Sequence, residues 1–281
     1  MTVTVNLPLQ KSELDQLKDL LHQTAGLLLS GEWDEKLATR VAERMARLGI
    51  RSFEEYYHLL YLSANKTEVF CFVEGLLSAE NYFFKNRAQL RGFAELVLPA
   101  IITPRRELDE KKLRIWDAAC AGGEEPYTLA MLLRESIEDI DTWQVTIVAT
   151  DIDRSALQRA ETGVYSEHSL SKLPEGYREK YFTETDGGWQ IAEQIRKMVT
   201  FKQLNLVDRF ALREQRLFDF VFCRGVLPYF SAPAQKKVVG GIYDALVPGG
   251  YLFLGESESI GHITAAFELD NIDGFLCYKK P

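Results

Sequence analysis

The segment Ile115-Trp-Asp-Ala-Ala-Cys-Ala-Gly-Gly-Glu-Glu-Pro-Tyr-Thr-Leu-Ala130 constrains the fold more than any other. An apolar strand runs into a loop of small residues, and Pro126 suits the first turn of the helix that follows. The same order then recurs. Strands are predicted at 113–117, 143–150, 199–203, 218–223 and 250–254. Helices are predicted at 126–137, 154–162 and 234–246. Strands alternating with helices build a mostly parallel sheet covered on both faces, a doubly wound α/β fold. The alternation breaks between Tyr165 and Met198, where Asp186-Gly187-Gly188 stands between extended runs as a hairpin signal. A small antiparallel insertion is predicted over about 165–198.

The first hundred residues read as helices. Leu14, Leu17, Leu20 and Leu21 share one face, as do Leu37, Val41, Met45 and Leu48. Gly49 stops the second helix. Ser52 and Glu55 have capping-box spacing before a third, and a fourth is expected near 66–77. Residues 104–112 read as a linker. The expected division is an all-α N-terminal domain with linker over 1–103 and an α/β domain over 104–281.

Composition excludes several classes. The chain has 281 residues, 46% of them hydrophobic and 26% charged, which is ordinary for a globular protein and not for a disordered one. The net charge of −8 argues against binding nucleic acid or an anionic membrane by charge. No apolar run approaches the length of a membrane span, and Met1 to Leu9 lacks signal-peptide order, so a cytoplasmic location is expected. Four cysteines and four histidines lie scattered with no C-x-x-C pair, so neither a metal site nor a disulfide framework is expected.

A small-residue loop at a sheet's carboxyl edge lets a ligand approach backbone N–H groups. Here Glu124 and Glu125 end the loop. Two carboxylates repel a diphosphate and attract a cation, which disfavours a dinucleotide oxidoreductase and suits S-adenosylmethionine, with its ammonium and sulfonium. A helix N-terminus favoured by acidic side chains is the equal alternative on this segment alone. The second strand ends at Asp151, where a carboxylate in such folds accepts ribose hydroxyls; a helix cap is its alternative. Asn205-Leu206 and Cys223-Arg-Gly-Val-Leu-Pro-Tyr-Phe230 complete a ring of loops at one sheet edge.

With these residues in place, nearly the whole chain resembles the CheR-type methyltransferases, which methylate glutamates on bacterial chemoreceptors. Arg40, Arg44 and Leu48-Gly49-Ile50 resemble that family's helical domain. Phe83-Phe84-Lys85 resembles its Phe-Phe-Arg segment. Ile115-Trp116 through Tyr127, Ala149-Thr-Asp-Ile-Asp153, Phe218-Asp219 through Tyr229-Phe230, and Pro248 through Gly255-Glu-Ser-Glu258 follow its remaining motifs in order. The resemblance implies a class I S-adenosylmethionine-dependent methyltransferase with a Rossmann-like sheet, acting as a monomer without metal.

By that resemblance Glu125 holds the methionine end of the cofactor and Asp151 the ribose. Asn205 and Leu206 border the adenine, and Val226 faces the cofactor. Asn81, Ala119 and Gly225 belong to the same cofactor set. Tyr229 sits close to the transferred methyl, and Lys85 stands where the family has an arginine near the cofactor and methyl-transfer site. A packed core aromatic is the alternative for Tyr229. The departures are Ala79-Glu80-Asn81 for Asn-x-Thr, Lys85 for arginine, Gly225 for asparagine, Pro228 for an aliphatic residue, Glu256 for histidine, and Trp33 for lysine. The altered Asn81, Lys85 and Gly225 motivate an alternative: a weak or inactive module that binds cofactor or a signalling partner.

The implied reaction is in-line attack of a substrate carboxylate on the sulfonium methyl. Glutamate, with a reference pKa of about 4.3, is already ionised and needs no general base. The resemblance also implies that the β-insertion takes a receptor's C-terminal tail by strand addition. An acidic enzyme needs a local basic patch for an acidic receptor. Lys36, Arg40, Arg44 and Arg47 are the candidate substrate-binding residues, the three arginines falling at i, i+4, i+7 on one helix face; a solvated face is the alternative.

Overall fold

The computed structural model describes residues 9–62, 67–74, 76, 81–272 and 274–281. Among these a seven-stranded sheet organises the C-terminal part. Its strands are β1 (Lys112–Asp117), β2 (Gln144–Asp151), β6 (Val199–Gln203), β7 (Phe218–Cys223), β8 (Leu246–Leu254), β9 (Glu268–Ile272) and β10 (Phe275–Lys279), in the order β6-β2-β1-β7-β8-β10-β9. The first five pair in parallel, and β10 pairs antiparallel with β8 and β9. β1 lies between β2 and β7, so strand order reverses there. That reversal opens a crevice at the carboxyl edge.

Alternation along the strands divides the core between two faces. Trp116, Val148, Val221 and Leu252 point to one face, where they join the helix Ala232–Ala245 and the N-terminal helices. Ile115, Ile147, Phe220, Phe222 and Phe253 point to the other, joining residues 83–102 and the helix after β1. The N-terminal helices are α1 (Lys11–Ala25), α2 (Asp34–Leu48), α3 (Phe53–Leu62) and α4 (Thr67–Val73). Their leucines continue the sheet's own core rather than closing a separate one.

Gly49 ends α2 with φ of 71°, and the Ser52 hydroxyl accepts the Glu55 N–H at 3.2 Å as α3 begins. Part of the predicted 66–77 helix lies outside the described residues. Of the linker expected at 104–112, residues 104–107 belong to a helix, 108–111 form a turn, and Lys112 opens β1. Helix α5 (Arg87–Gly92) passes through a π-turn into α6 (Leu98–Glu107), which runs past Pro104. Leu98 and Ile102 are buried in the second face, so 87–107 belongs to the sheet's covering layer. Arg105 then pairs with Asp219 of β7. The insertion holds β3 (Val164–Tyr165), β4 (Phe182–Thr185) and β5 (Gly188–Ile191), an antiparallel sheet in the order β3-β5-β4. Helices α7 (Glu124–Ser136) and α8 (Arg154–Thr162) follow β1 and β2.

Candidate active site

The loop after β1 is held from three sides. Ala118 N–H donates to the Phe222 carbonyl at 2.8 Å and Cys120 N–H to the Thr150 carbonyl at 3.0 Å. The Tyr165 hydroxyl donates to the Gly122 carbonyl at 2.9 Å. Ala121 adopts φ of 43°, a conformation that costs a non-glycine residue about 1–2 kcal/mol. Its N–H donates to Asp151 Oδ2 at 2.8 Å. Asp151 Oδ1 accepts the Asp153 N–H at 2.9 Å, while Asp153 caps α8 through the Ala156 N–H. The cap is therefore Asp153, and Asp151 is left to tie two loops together at the cleft wall.

The crevice has two connected parts. The inner one, about 270 Å³, lies between Asp151, Ile152, Leu206 and Val226 and is closed on the N-terminal side by Ala25 and Leu27. The outer one, about 440 Å³, extends past Glu125 to Pro228 and Glu256. Asn81, Lys85, Ala119, Gly225 and Tyr229 border both. Asn205 and Leu206 line the inner part. All predicted cofactor and catalytic residues thus meet at one sheet edge. Asn205 has structural work there as well. Its Nδ2 donates to the Thr24 carbonyl at 3.2 Å and its Oδ1 accepts the Val207 N–H.

The segment carrying Asn81 and Lys85 leads into the second core face. Phe83 N–H donates to the Ser169 carbonyl at 2.9 Å, and Phe84 N–H to Thr128 Oγ1 of α7 at 3.2 Å. Lys85 is exposed at the mouth. Tyr229 is half-buried, and Trp33 meets its ring edge-on at 5.7 Å between centroids. Lys36 Nζ lies 4.9 Å from the Trp33 ring centroid.

The electrostatics at the β1 end are dominated by buried carboxyls. Burial pushes the Glu125 and Asp151 carboxyls up, against the pull of Arg224 on the first and of backbone N–H donors on the second. Asp117, buried beside Glu125, is pushed well above the usual carboxylate range. Glu124 is raised by burial and accepts the Ser169 hydroxyl. A site that raises several carboxyls favours a cation and disfavours a phosphate.

Two residues of this site had no role assigned from sequence. Arg224 Nη1 donates to Glu125 Oε2 at 2.7 Å and its Nη2 to the Lys85 carbonyl at 2.9 Å. Glu258 accepts N–H groups from the loops after β7 and β8. Both stand inside motifs quoted above, in Cys-Arg-Gly and Gly-Glu-Ser-Glu, where the signal was position in a motif.

The predicted basic face is corrected. Arg44 is buried and bonds Glu68 in bidentate fashion at 2.9 and 2.6 Å, and Tyr56 donates to the same carboxylate. It holds α2, α3 and α4 together and leaves the patch. Arg40 is half-buried and donates to the Phe72 and Cys71 carbonyls at the end of α4. Lys36 and Arg47 remain exposed.

Comparison with known proteins gives concordant matches. Residues 79–275 match the family model described as CheR methyltransferase, SAM binding domain, and residues 12–77 match the CheR methyltransferase all-alpha domain. The chain is 32% identical over 267 residues to chemotaxis protein methyltransferase 2 of Vibrio cholerae, covering 95% of this chain and 92% of that protein. It is 31% identical to the chemotaxis protein methyltransferase of Borreliella burgdorferi, covering 91% of each. It is 30% identical to chemotaxis protein methyltransferase 1 of Pseudomonas aeruginosa, covering 95% of this chain and 97% of that protein.

Proposed function

The chain belongs to the CheR methyltransferase family, and from that premise we propose that it is an S-adenosylmethionine-dependent protein-glutamate O-methyltransferase of chemoreceptor cytoplasmic domains, working in the cytoplasm. The observation that carries this reading is the acid-lined crevice at the strand reversal, with Asp151 in its inner part and Tyr229 and Lys85 where the inner and outer parts join.

S-Adenosylmethionine supplies, when bound, a methyl group on an electrophilic sulfonium. The donor set suits it. After two backbone N–H groups, the Asp151 carboxylate keeps lone pairs for ribose hydroxyls. Glu125 offers its free oxygen to the ammonium end, and Arg224 holds that carboxylate in place. Leu206 and Val226 give the apolar walls an adenine needs. Lys85 offsets the repulsion that Glu124, Glu125 and Glu256 exert on an arriving carboxylate. Tyr229 borders both parts of the crevice and orients the two reactants, a proximity effect that needs no general base.

Lys36 and Arg47, with the exposed part of Arg40, form the docking face for an acidic receptor helix. β4 is an outer strand of its small sheet, which supports the strand-addition site for a receptor tail. Incubation with methyl-labelled S-adenosylmethionine and a receptor cytoplasmic fragment tests the proposal: base-labile label on glutamate is expected. A second reading, a module that holds cofactor or a partner without turnover, is favoured by the bare Gly225 and by Lys85 in place of arginine. S-Adenosylhomocysteine binding without any transfer selects it.

A further inference from the structure

The loop after β7 carries Gly225, Val226 and Tyr229 to the crevice, and Glu258 gathers it from below. Glu258 Oε2 accepts the Gly225 N–H at 2.8 Å and the Gly255 N–H at 2.6 Å, and Oε1 accepts the Leu227 N–H at 3.0 Å. The turn that presents this carboxylate closes on itself, with Glu258 N–H donating to the Gly255 carbonyl at 3.0 Å. A Cβ at Gly255 would stand 2.7 Å from Oε2, so only glycine leaves room for the carboxylate to seat. All three partners are donors. A group that only accepts satisfies them, and an amide in its place aims N–H at N–H. Leu227 opens the short 3₁₀ turn that ends at Tyr229, whose N–H donates to the Val226 carbonyl at 3.2 Å. The carboxylate therefore sets the start of the turn whose last residue borders the reacting centre.

We propose that Glu258 is a positioning residue for methyl transfer, which locks the loops after β7 and β8 together through three backbone N–H groups and thereby places Tyr229. It acts through Tyr229, and it rests on the methyltransferase reading. Both loops rise from adjacent strands, so the lock joins two rigid supports across the outer cleft.

Glu258→Gln tests this. Turnover is counted per cofactor site, with sites titrated by S-adenosylhomocysteine. At saturating substrates kcat falls roughly tenfold or more, while KM for the receptor fragment moves by less than about threefold and affinity for S-adenosylhomocysteine, which Val226 of the same loop helps hold, weakens by a smaller factor than kcat. Amide hydrogen exchange across 225–230 accelerates with no loss of the folded state. Gly255→Ala, which displaces the carboxylate without removing it, gives the same pattern. The double variant loses no more than the worse single one, because both break one contact. Wild-type turnover per site with unchanged exchange in either variant overturns the proposal, as do additive losses. A wild-type protein that binds S-adenosylhomocysteine yet transfers no methyl sinks the methyltransferase reading instead. Exchange across 225–230 then decides alone: acceleration supports the lock and unchanged exchange overturns it.

Discussion

Asp151 shows how one side chain serves fold and site together. Its oxygens secure Ala121 in a left-handed conformation and the start of the α8 loop, leaving the remaining lone pairs to the crevice. Asp151→Ala is expected to weaken S-adenosylhomocysteine binding by about 1–3 kcal/mol, the scale for a lost buried polar partner, as read by titration calorimetry. Unchanged affinity would refute the ribose assignment. Gly225 is the second residue to probe. It has φ of 72° with open space where a Cβ would stand, and asparagine tolerates that conformation. Gly225→Asn should fold with stability within about 0.5 kcal/mol of the parent and bind cofactor at least as tightly. Gly225→Val should lose about 1–2 kcal/mol in denaturant titrations, because a β-branched side chain resists positive φ. Equal stability of the two variants would count against this backbone account.

At the scale of elements, α2 separates packing from docking. Arg44 and Glu68 form a buried pair joined by Tyr56, whose hydroxyl is pushed up by burial and by the neighbouring carboxylate. Glu68→Ala strands the Arg44 charge and should cost about 3–5 kcal/mol in denaturant titrations. Arg47→Glu, on the exposed face, should leave stability within about 0.5 kcal/mol and raise KM for the receptor fragment. An effect of both variants on KM alone would contradict the structural role of the buried pair.

The same helix shows what was legible in sequence. Leu37, Val41 and Met45 announced the buried face, and Arg44 lies on it too. Its partner is 24 residues away, so local spacing could not reveal the pairing. The βα units are legible because apolar strands, small-residue loops and caps agree there; 154–162, 199–203 and 218–223 are matched at both ends, while the strand expected at 250–254 begins earlier, at Leu246. The last turn of the helix 98–107 falls in the expected 104–112 linker because Pro104, Arg105, Arg106 and Glu107 carry no apolar position to mark it as helical. β9 and β10 give no strand signal in sequence because neither shows a clean buried–exposed alternation, β9 on the outer edge and β10 beside it. The site's ring of loops was visible as strand ends. The Glu258 lock was not, since its partners are backbone groups contributed by tertiary structure.

For the whole molecule, charge and shared core matter most. One apolar cluster runs from the N-terminal leucines through the sheet to Ala245, and Leu27 bridges Phe230. The N-terminal helices therefore complete the crevice. The raised carboxyls of Asp117, Glu124, Glu125 and Asp151 link that crevice to pH. The folded state holds more protons than the unfolded one, so their contribution to stability is full below the ordinary carboxylate range and is lost as pH rises through the raised values. A bound cation favours the ionised forms. Cofactor binding is therefore expected to release protons at mildly acidic pH, and affinity should climb with pH there. Calorimetry in buffers of different ionisation enthalpy reads this directly; proton uptake would contradict it.

On the proposed function, this crevice passes a methyl group from S-adenosylmethionine to a receptor glutamate. The most direct measurement is mass spectrometry of a chemoreceptor cytoplasmic fragment after incubation with the protein and methyl-labelled S-adenosylmethionine. Labelled methyl esters are predicted on glutamate, lost on mild base and strongly reduced by Asp151→Ala at subsaturating cofactor. Absence of label from a protein that binds S-adenosylhomocysteine, or base-stable label on another residue type, would contradict it.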